Sequence, residues 1–459
     1  MTPGYDAPPS DDTAAYSGRV STDSSALFTD QYELTMLSAA LADGSAHRRC
    51  SFEVFARRLP DGRRYGVVAG TARLVAALSN FRFGKSELEI VSRFLDDRTV
   101  AWLRDYRFTG DIDGYREGDF YFPGSPILSV RGTFAECVLL ETLSLSILNH
   151  DSAIASAAAR MVSAADGRPM IEMGSRRTHE ESAVAASRAA YLAGFTATSN
   201  LEAVRRHGVP GAGTSAHAFT LLHTTPDGPD EAAAFRGQVA ALGVGTTLLV
   251  DTYDITEGVK TAVEVAGPEL GGVRIDSGDL GVLARQVRRQ LDDLGATGTK
   301  IVVSGDLDEY AVAALRAEPV DVYGVGTSVV VGSGAPTAGM VYKLVEVDGI
   351  PVEKRSSNKA SRGGTKRAVR FARETGTLVE EVVYSAHSDA PDPAGLEARE
   401  LLVPLVRGGE TACDATTLED SRSLLAAGLV SLPWEALKLS RGEPAIPVRF
   451  AEPDSRRAR

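Results

Sequence analysis

Cysteine is scarce. The 459 residues hold three, Cys50, Cys137 and Cys413, far apart and without a C-x-x-C pair. That excludes a disulfide framework and gives no zinc spacing; it fits a reducing compartment, with the cytoplasm as the expected location. Positive charge is in deficit, 49 Lys and Arg against 61 Asp and Glu, a formal net charge of -12. No nucleic-acid partner and no membrane-surface partner is therefore expected, although a local basic pocket remains compatible with that balance. No apolar run is long enough to span a bilayer. The opening "MTPGYDAPPSDDTAAYSGRVSTDSSA" has no apolar signal-peptide core, and residues 1–24 read as a disordered tail. The G-x-G-x-x-G turn of a dinucleotide-binding doubly wound sheet is missing too. No Ser–His–Asp or Cys–His spacing stands out for acyl transfer.

What is present is a change of pattern along the chain, which is long enough for two or three domains. The segment "ALFTDQYELTMLSAALADG" has the spacing of an amphipathic helix, with Thr29 or Asp30 as N-cap. Strand and hairpin signals follow up to about residue 135, and then a long helical stretch, "CVLLETLSLSILNHDSAIASAAARMVSAADG". From about 168 to 330 the chain repeats strand, loop, helix. Seven strands are expected, at "RPMIEMG", "FTATS", "GAGTSAH", "TTLLVDTYD", "GVRIDSG", "KIVVSGD" and "VDVYGVGT". Such repetition predicts a parallel α/β architecture, most simply a (β/α) barrel of TIM type, with a doubly wound sheet as the alternative. After 335 hairpin signals return, as in "MVYKLVEVDGIPVEKRS" with its "DG" turn. The expected division is a discontinuous α+β domain from residues 25–140 and 370–450, and an α/β barrel domain over 141–369 that carries the site.

Polar residues close nearly every unit of the repeat. They are Ser175, Arg176 and Arg177; Thr198, Ser199 and Asn200; His217; Asp251, Tyr253 and Asp254; Arg274, Asp276 and Asp279; Ser304, Gly305 and Asp306; and Gly324, Gly326 and Thr327. One such cluster is ordinary capping and turn chemistry. Seven in register point to a shared site, because a parallel barrel brings these ends to one face. Arg176, Arg177 and Arg274 suit bidentate capture of phosphate or carboxylate. Asp251, Asp276 and Asp306 suit sugar hydroxyls or Mg²⁺-bound water. The glycines of "SGD" and "GVGT" let backbone N–H groups approach an anion. The set suits a phosphorylated sugar with a metal-bound polyphosphate.

The motifs "LFTDQYELTM", "GSRRTHE", "AGFTATSNLEA", "GTSAH", "LLVDTYD", "VRIDSGDL", "SGDLDEY" and "GVGTSVV" resemble, in order and spacing, the nicotinate phosphoribosyltransferase family of the type II phosphoribosyltransferase group. The resemblance runs through most of residues 27–447. It implies a partial barrel with a discontinuous N-terminal domain. It implies the joining of nicotinate to 5-phosphoribosyl 1-diphosphate (PRPP) to give nicotinate mononucleotide and diphosphate, coupled to ATP, with Mg²⁺, in a homodimer with shared active sites. Carried over by motif, Tyr32 is the tyrosine that stacks on the pyridine ring from the partner subunit, and Met173 takes the opposite stacking place, where relatives often have Phe. Arg176 lies near the ring and PRPP, with Arg177 a second contact for the nicotinate carboxylate. Arg274 and Asp276 belong to the base and ribose pocket. Asp251 is a PRPP- and metal-linked carboxylate, and Asp276 is the second expected metal ligand. Ser304, Gly305, Asp306, Gly326 and Thr327 contact ribose and 5'-phosphate. His217 is the histidine phosphorylated by ATP. His179 reads as a helix-start residue and His150 as a packing residue. Related nicotinamide enzymes carry aspartate at the place of Ser199, so Ser199 favours the acid over the amide. Nicotinamide or quinolinate transfer, and a non-catalytic nucleotide-binding relative, are the competing readings.

Overall fold

The computed structural model describes residues 24–354, 362–412 and 417–451. The expected tail, apart from Ser24, and Cys413 lie outside them. Cys50 and Cys137 are free, buried thiols. Among the described residues no helix is long and apolar enough to cross a membrane.

Six short strands form one parallel sheet: β1 (Met170–Glu172), β2 (Ala197–Thr198), β3 (Thr247–Leu249), β4 (Gly272–Ile275), β5 (Lys300–Ser304) and β6 (Val322–Val325). They run in the order β3-β4-β5-β6-β1-β2. The last strand pairs with the first, Tyr323 opposite Met170 and Val325 opposite Glu172. Sequence order is therefore cyclic, as in a barrel, and does not reverse at a switch point as a doubly wound sheet does. The sheet is a half-barrel, open between β2 and β3.

The opening falls where a seventh strand, "GAGTSAH", was expected. That segment makes one bridge, Thr198 to Gly211. The Thr198 N–H donates to the Pro210 carbonyl, and the Ala212 N–H to the Thr198 carbonyl, both at 2.9 Å. Gly211 and Gly213 offer no side chain to pack, which weakens a strand. Nor is there a strand beyond to continue the ladder: the chain turns into helices His217–Leu222 and Glu231–Leu242 before β3.

Helices between the strands start on designed caps. Asn200, Asp230, Asp254, Asp279 and Asp308 each accept a backbone N–H in the first turn of the following helix. Each such cap stabilises its helix by about 1 kcal/mol. His179 caps the helix Glu180–Leu192 through its ring nitrogen, as its position suggested. Asp254 and Asp279, grouped above with the strand-end chemistry, are thus committed to capping. The strands are buried on both faces; every residue of β4 is inside, as a helix-covered parallel sheet requires.

A second layer is a seven-stranded antiparallel sheet in the order Ile350–Pro351, Met340–Val347, Arg49–Ala56, Leu128–Thr133, Asp111–Gly114, Val403–Arg407, Glu410–Thr411. Met340–Val347 pairs with Arg49–Ala56 along its length. This hairpin, numbered within the expected barrel segment, is hydrogen-bonded to the N-terminal sheet. Its "DG" turn has Asp348 and Gly349 at φ 49° and 78°, the two left-handed residues of a tight hairpin. A four-stranded sheet, Glu397–Glu400, Lys366–Ala372, Leu378–Ser385 and Val448–Phe450, lies beside it, and two short two-stranded ribbons, Gly66–Val67 with Phe120–Tyr121 and Thr224–Thr225 with Gly228–Pro229, make up the remaining described sheets. The helix Glu141–Ala165 ties the layers together. Its run of buried alanines, Ala153, Ala155 and Ala157–Ala159, allows close packing on both sides.

Candidate active site

Strand burial ends abruptly where the polar residues begin. In β5 the sequence Lys300–Ser304 runs into the core, and Gly305 and Asp306 emerge exposed. At this C-terminal face the structure joins five of the expected site residues.

Asp251 is the hub. Its side chain is 1% exposed. Oδ2 accepts the Asp276 N–H at 2.9 Å and the Ser277 hydroxyl at 2.8 Å, which fixes the end of β3 against the turn after β4. Oδ1 is buried with no hydrogen-bond partner, and lies 3.9 Å from His217 Nε2. The His217 ring is held from its other side, Nδ1 lying 3.1 Å from the Thr252 hydroxyl. Asp276 in turn accepts a short hydrogen bond from the Ser304 hydroxyl, and its Oδ1 is 3.5 Å from Arg274 Nη2. Arg274 Nη1 donates to the Thr214 hydroxyl at 3.2 Å and to the Ser215 carbonyl at 3.1 Å. Arg274 therefore anchors the segment leading to His217. Thr214, Ser215, Thr252 and Ser277 lie inside the motifs "GTSAH", "LLVDTYD" and "VRIDSGDL" but were given no role as site residues.

Two glycines permit this closeness. Gly305 has φ +105°, and a Cβ there would meet the Asp276 carbonyl oxygen at 2.3 Å. A Cβ on Gly324 would meet Met173 Sδ at 2.8 Å. Met173 thus rests over the end of β6, beside Ser304. Gly326 and Thr327 begin the short helix Thr327–Val330, and Thr327 is exposed.

The loop after β1 is set by a carboxylate that sequence reasoning missed. Glu172 is 1% exposed. It accepts the Gly174 N–H, the Ser187 hydroxyl at 2.7 Å and the Thr198 hydroxyl at 2.5 Å. It ties β1, β2 and the following helix at one point. Its carbonyl accepts the Ser199 N–H at 2.8 Å. Read in sequence, an alternating Glu in a strand is a solvent-facing residue, and only the fold shows it inside. Arg176 and Arg177 project from this loop, exposed. Among the described residues neither guanidinium has a hydrogen-bond or carboxylate partner, so both are open to an anion. Ser199, just past the end of β2, is exposed as well.

Glu231 is the second omission. It begins a helix behind Asp230, where a Glu reads as an ordinary first-turn residue. Here it is half-buried, and one of its carboxylate oxygens has no partner. Burial, then the charges of Asp251 and Asp254, push its pKa up to about 7. It adds a third carboxyl group to the electrostatics around Asp251.

Tyr32 stands apart. It lies on the helix Gln31–Asp43, 46% exposed. Burial, followed by Glu141, Glu33 and Asp30, pushes its phenol up to about 12, so it remains a neutral donor. No hydrogen bond or ion pair joins it to the strand-end cluster among the described residues. The His150 Nδ1–H donates to the buried Asp151 carboxylate at 2.9 Å.

The fold and the strand-end cluster define a class: a half-barrel α/β protein whose open face is built for an anionic, hydroxyl-rich ligand. Comparison with known proteins is specific. Residues 27–149 match the family described as nicotinate phosphoribosyltransferase (NAPRTase) N-terminal domain. A nicotinate phosphoribosyltransferase of Mycobacterium tuberculosis is 67% identical over 431 residues, covering 93% of this chain and 95% of that protein. The human enzyme of that name is 31% identical over 499 residues, covering 94% and 92%. The crystal structure of human nicotinic acid phosphoribosyltransferase superposes with a TM-score of 0.77 at 27% identity, covering 92% of this chain and 97% of that one. The chain belongs to the nicotinate phosphoribosyltransferase family.

Proposed function

We propose that this protein transfers the 5-phosphoribosyl group of PRPP to the ring nitrogen of nicotinate, releasing diphosphate, at the C-terminal mouth of a partial TIM-type barrel. The observation that supports this most is the continuous network His217–Asp251–Asp276–Ser304, with Arg274, at the ends of β3, β4 and β5.

The chemistry is displacement at ribose C1. Diphosphate leaves as the C1–O bond weakens, and the ribose ring gains oxocarbenium character. The pyridine nitrogen carries no proton to lose, so no general base is needed. Catalysis then rests on position and on charge. Asp276, partly exposed and braced by Arg274 and Ser304, faces the developing positive charge on ribose. Gly305, Asp306, Gly326 and Thr327 offer exposed backbone and side-chain groups to the ribose and its 5'-phosphate. The free guanidiniums of Arg176 and Arg177 take the nicotinate carboxylate and neighbouring phosphate oxygens, with Ser199 donating to the same carboxylate. Met173 packs on one face of the pyridine ring; Tyr32 reaches the other face across a homodimer.

The donor set fits Mg²⁺. Asp251 Oδ1 has no protein partner, and no hydrogen bond occupies Asp276 Oδ2. A pair of carboxylates completed by water and substrate phosphates is how Mg²⁺ is usually held, without an all-protein cage. Among the described residues no cluster of three or more His, Cys, Asp or Glu forms such a cage. Bound there, Mg²⁺ supplies positive charge to the leaving diphosphate.

His217 is the residue that couples transfer to ATP. With Nδ1–H donating to Thr252, Nε2 keeps its lone pair and takes the γ-phosphoryl group, with ADP as the leaving group. The side chain is 40% exposed, open enough for a nucleotide to reach. The domain division proposed for the whole chain follows the expected boundaries, except that residues 340–351 and the strand Lys366–Ala372, which a boundary at 369/370 would cut, go with the seven-stranded and four-stranded sheets. A cytoplasmic location completes the reading. The test is formation of nicotinate mononucleotide from nicotinate and PRPP with Mg²⁺, with and without ATP; nicotinamide or quinolinate as the better acceptor would overturn it.

A further inference from the structure

Away from the barrel mouth, the seven-stranded and four-stranded sheets meet along a cleft of about 440 Å³. That is within the size range of small-ligand sites. It shares no residue with the site described above. Its lining carries four Lys and Arg against two carboxylates, Asp113 and Glu346, in a chain whose net charge is -12. Arg131 and Arg407 stand on the seven-stranded side, and Lys366, Arg367 and His387 on the other.

The charges are unevenly paired. Arg131 Nη1 and Arg407 Nη2 both bind one carboxylate, Asp113, the former at 2.6 Å. Asp111 is 3.8 Å from Arg131, too far to neutralise it well. Lys366 is committed to the buried Glu53 at 2.8 Å. Arg367 pairs loosely with the exposed Glu400 at 3.5 Å and lies beside the Tyr384 hydroxyl. Glu346 accepts from the Thr365 N–H at 3.0 Å and lies 3.0 Å from His387 Nε2. The Thr365 hydroxyl is buried, the residue 3% exposed, beside the Glu346 carboxylate but with no well-formed hydrogen bond. A buried orphan hydroxyl is costly unless a ligand or water satisfies it. Guanidiniums that share a carboxylate still have N–H groups to give, in the planar fork that suits phosphate.

We propose that this cleft is a second ligand site, for a compound bearing a di- or triphosphate group, held by Arg131, Arg407 and Arg367 over the Thr365 hydroxyl. It is independent of the transfer reaction assigned to the barrel mouth.

The probe is inorganic triphosphate, titrated calorimetrically into the full chain, with ATP and adenosine as parallel arms. Arg407→Gln is expected to weaken cleft binding about tenfold, the effect of losing a charged hydrogen bond. Arg367→Gln, at an exposed position, is a second variant with an expected effect in the same direction. Asp113→Asn removes the shared competitor and is expected to tighten binding about threefold, which a merely structural role for Asp113 would not do. All three leave the KM values for PRPP and nicotinate unchanged. Binding of triphosphate and ATP that the cleft variants weaken and that persists in Asp251→Asn, with no binding of adenosine, marks phosphate recognition in the cleft. The proposal is overturned if triphosphate binding is unmoved by these variants, if it is abolished by Asp251→Asn alone, or if adenosine binds as well as ATP.

Discussion

Asp251→Asn is the sharpest perturbation the geometry offers. The amide is nearly isosteric with the carboxylate. Its oxygen can keep the two bonds that Asp251 Oδ2 accepts, from the Asp276 N–H and the Ser277 hydroxyl. The strand ends should therefore hold, at a stability cost of about 1 kcal/mol. The charge is lost from Oδ1, the unpartnered atom 3.9 Å from His217 Nε2. With Nε2 unprotonated, His217 forms no ion pair with that oxygen, so little of the loss falls on this contact. The larger loss falls on the diphosphate end, where removing one well-placed electrostatic group costs about 10²–10³ in rate. Steady-state kinetics with each substrate varied in turn is the assay. kcat/KM for PRPP should fall by about 10² or more, with the nicotinate KM within about twofold. A variant that raises the nicotinate KM and leaves PRPP unaffected would refute the placement of Asp251 at the phosphate end.

Other outcomes follow from the same site. Ser199→Asp places a carboxylate beside Arg176 and Arg177 and should raise the nicotinate KM far more than the PRPP KM; equal rises in substrate kinetics would remove Ser199 from the nicotinate contact. His217→Ala should abolish ATP stimulation while slow ATP-independent turnover continues, and a phosphohistidine signal on incubation with ATP should disappear with it. Glu231 carries a pKa raised from 4.5 to about 7. The folded state holds that proton more tightly, so its contribution to stability is full below about pH 4.5 and is lost as pH rises through about 7. Because the group is half-exposed, the effect is about 1 kcal/mol after screening. Glu231→Gln should flatten the fall in Tm between pH 5 and 8; an unchanged slope would show that another group causes it.

Much of the site was legible because its residues follow strands directly. In "GVRIDSGD" the alternation gives β4 and the Ser277-Gly278 turn, and the charges come with it. The half-barrel was legible in its repeat, but not in its count. Whether "GAGTSAH" forms a strand depends on a neighbour that is absent in space, not on its own residues. The pairing of Met340–Val347 with Arg49–Ala56 joins segments about 290 residues apart, and local alternation does not name a partner. Glu172 and Glu231 escaped for a different reason. Each has an ordinary local explanation, strand alternation or a helix first turn, and only burial distinguishes them. The same holds for Asp254 and Asp279, in the opposite sense: they looked like site chemistry and are helix caps. Tyr32 marks a further limit, since a residue expected to act across two subunits has no site within one chain.

The most direct measurement is a product assay on the purified protein with PRPP and Mg²⁺, offering nicotinate, nicotinamide and quinolinate in parallel, each with and without ATP. Nicotinate mononucleotide and diphosphate should form in equal amounts from nicotinate, faster with ATP. No nucleotide from nicotinate, or a faster reaction with either rival acid or amide, would contradict the assignment of the barrel mouth.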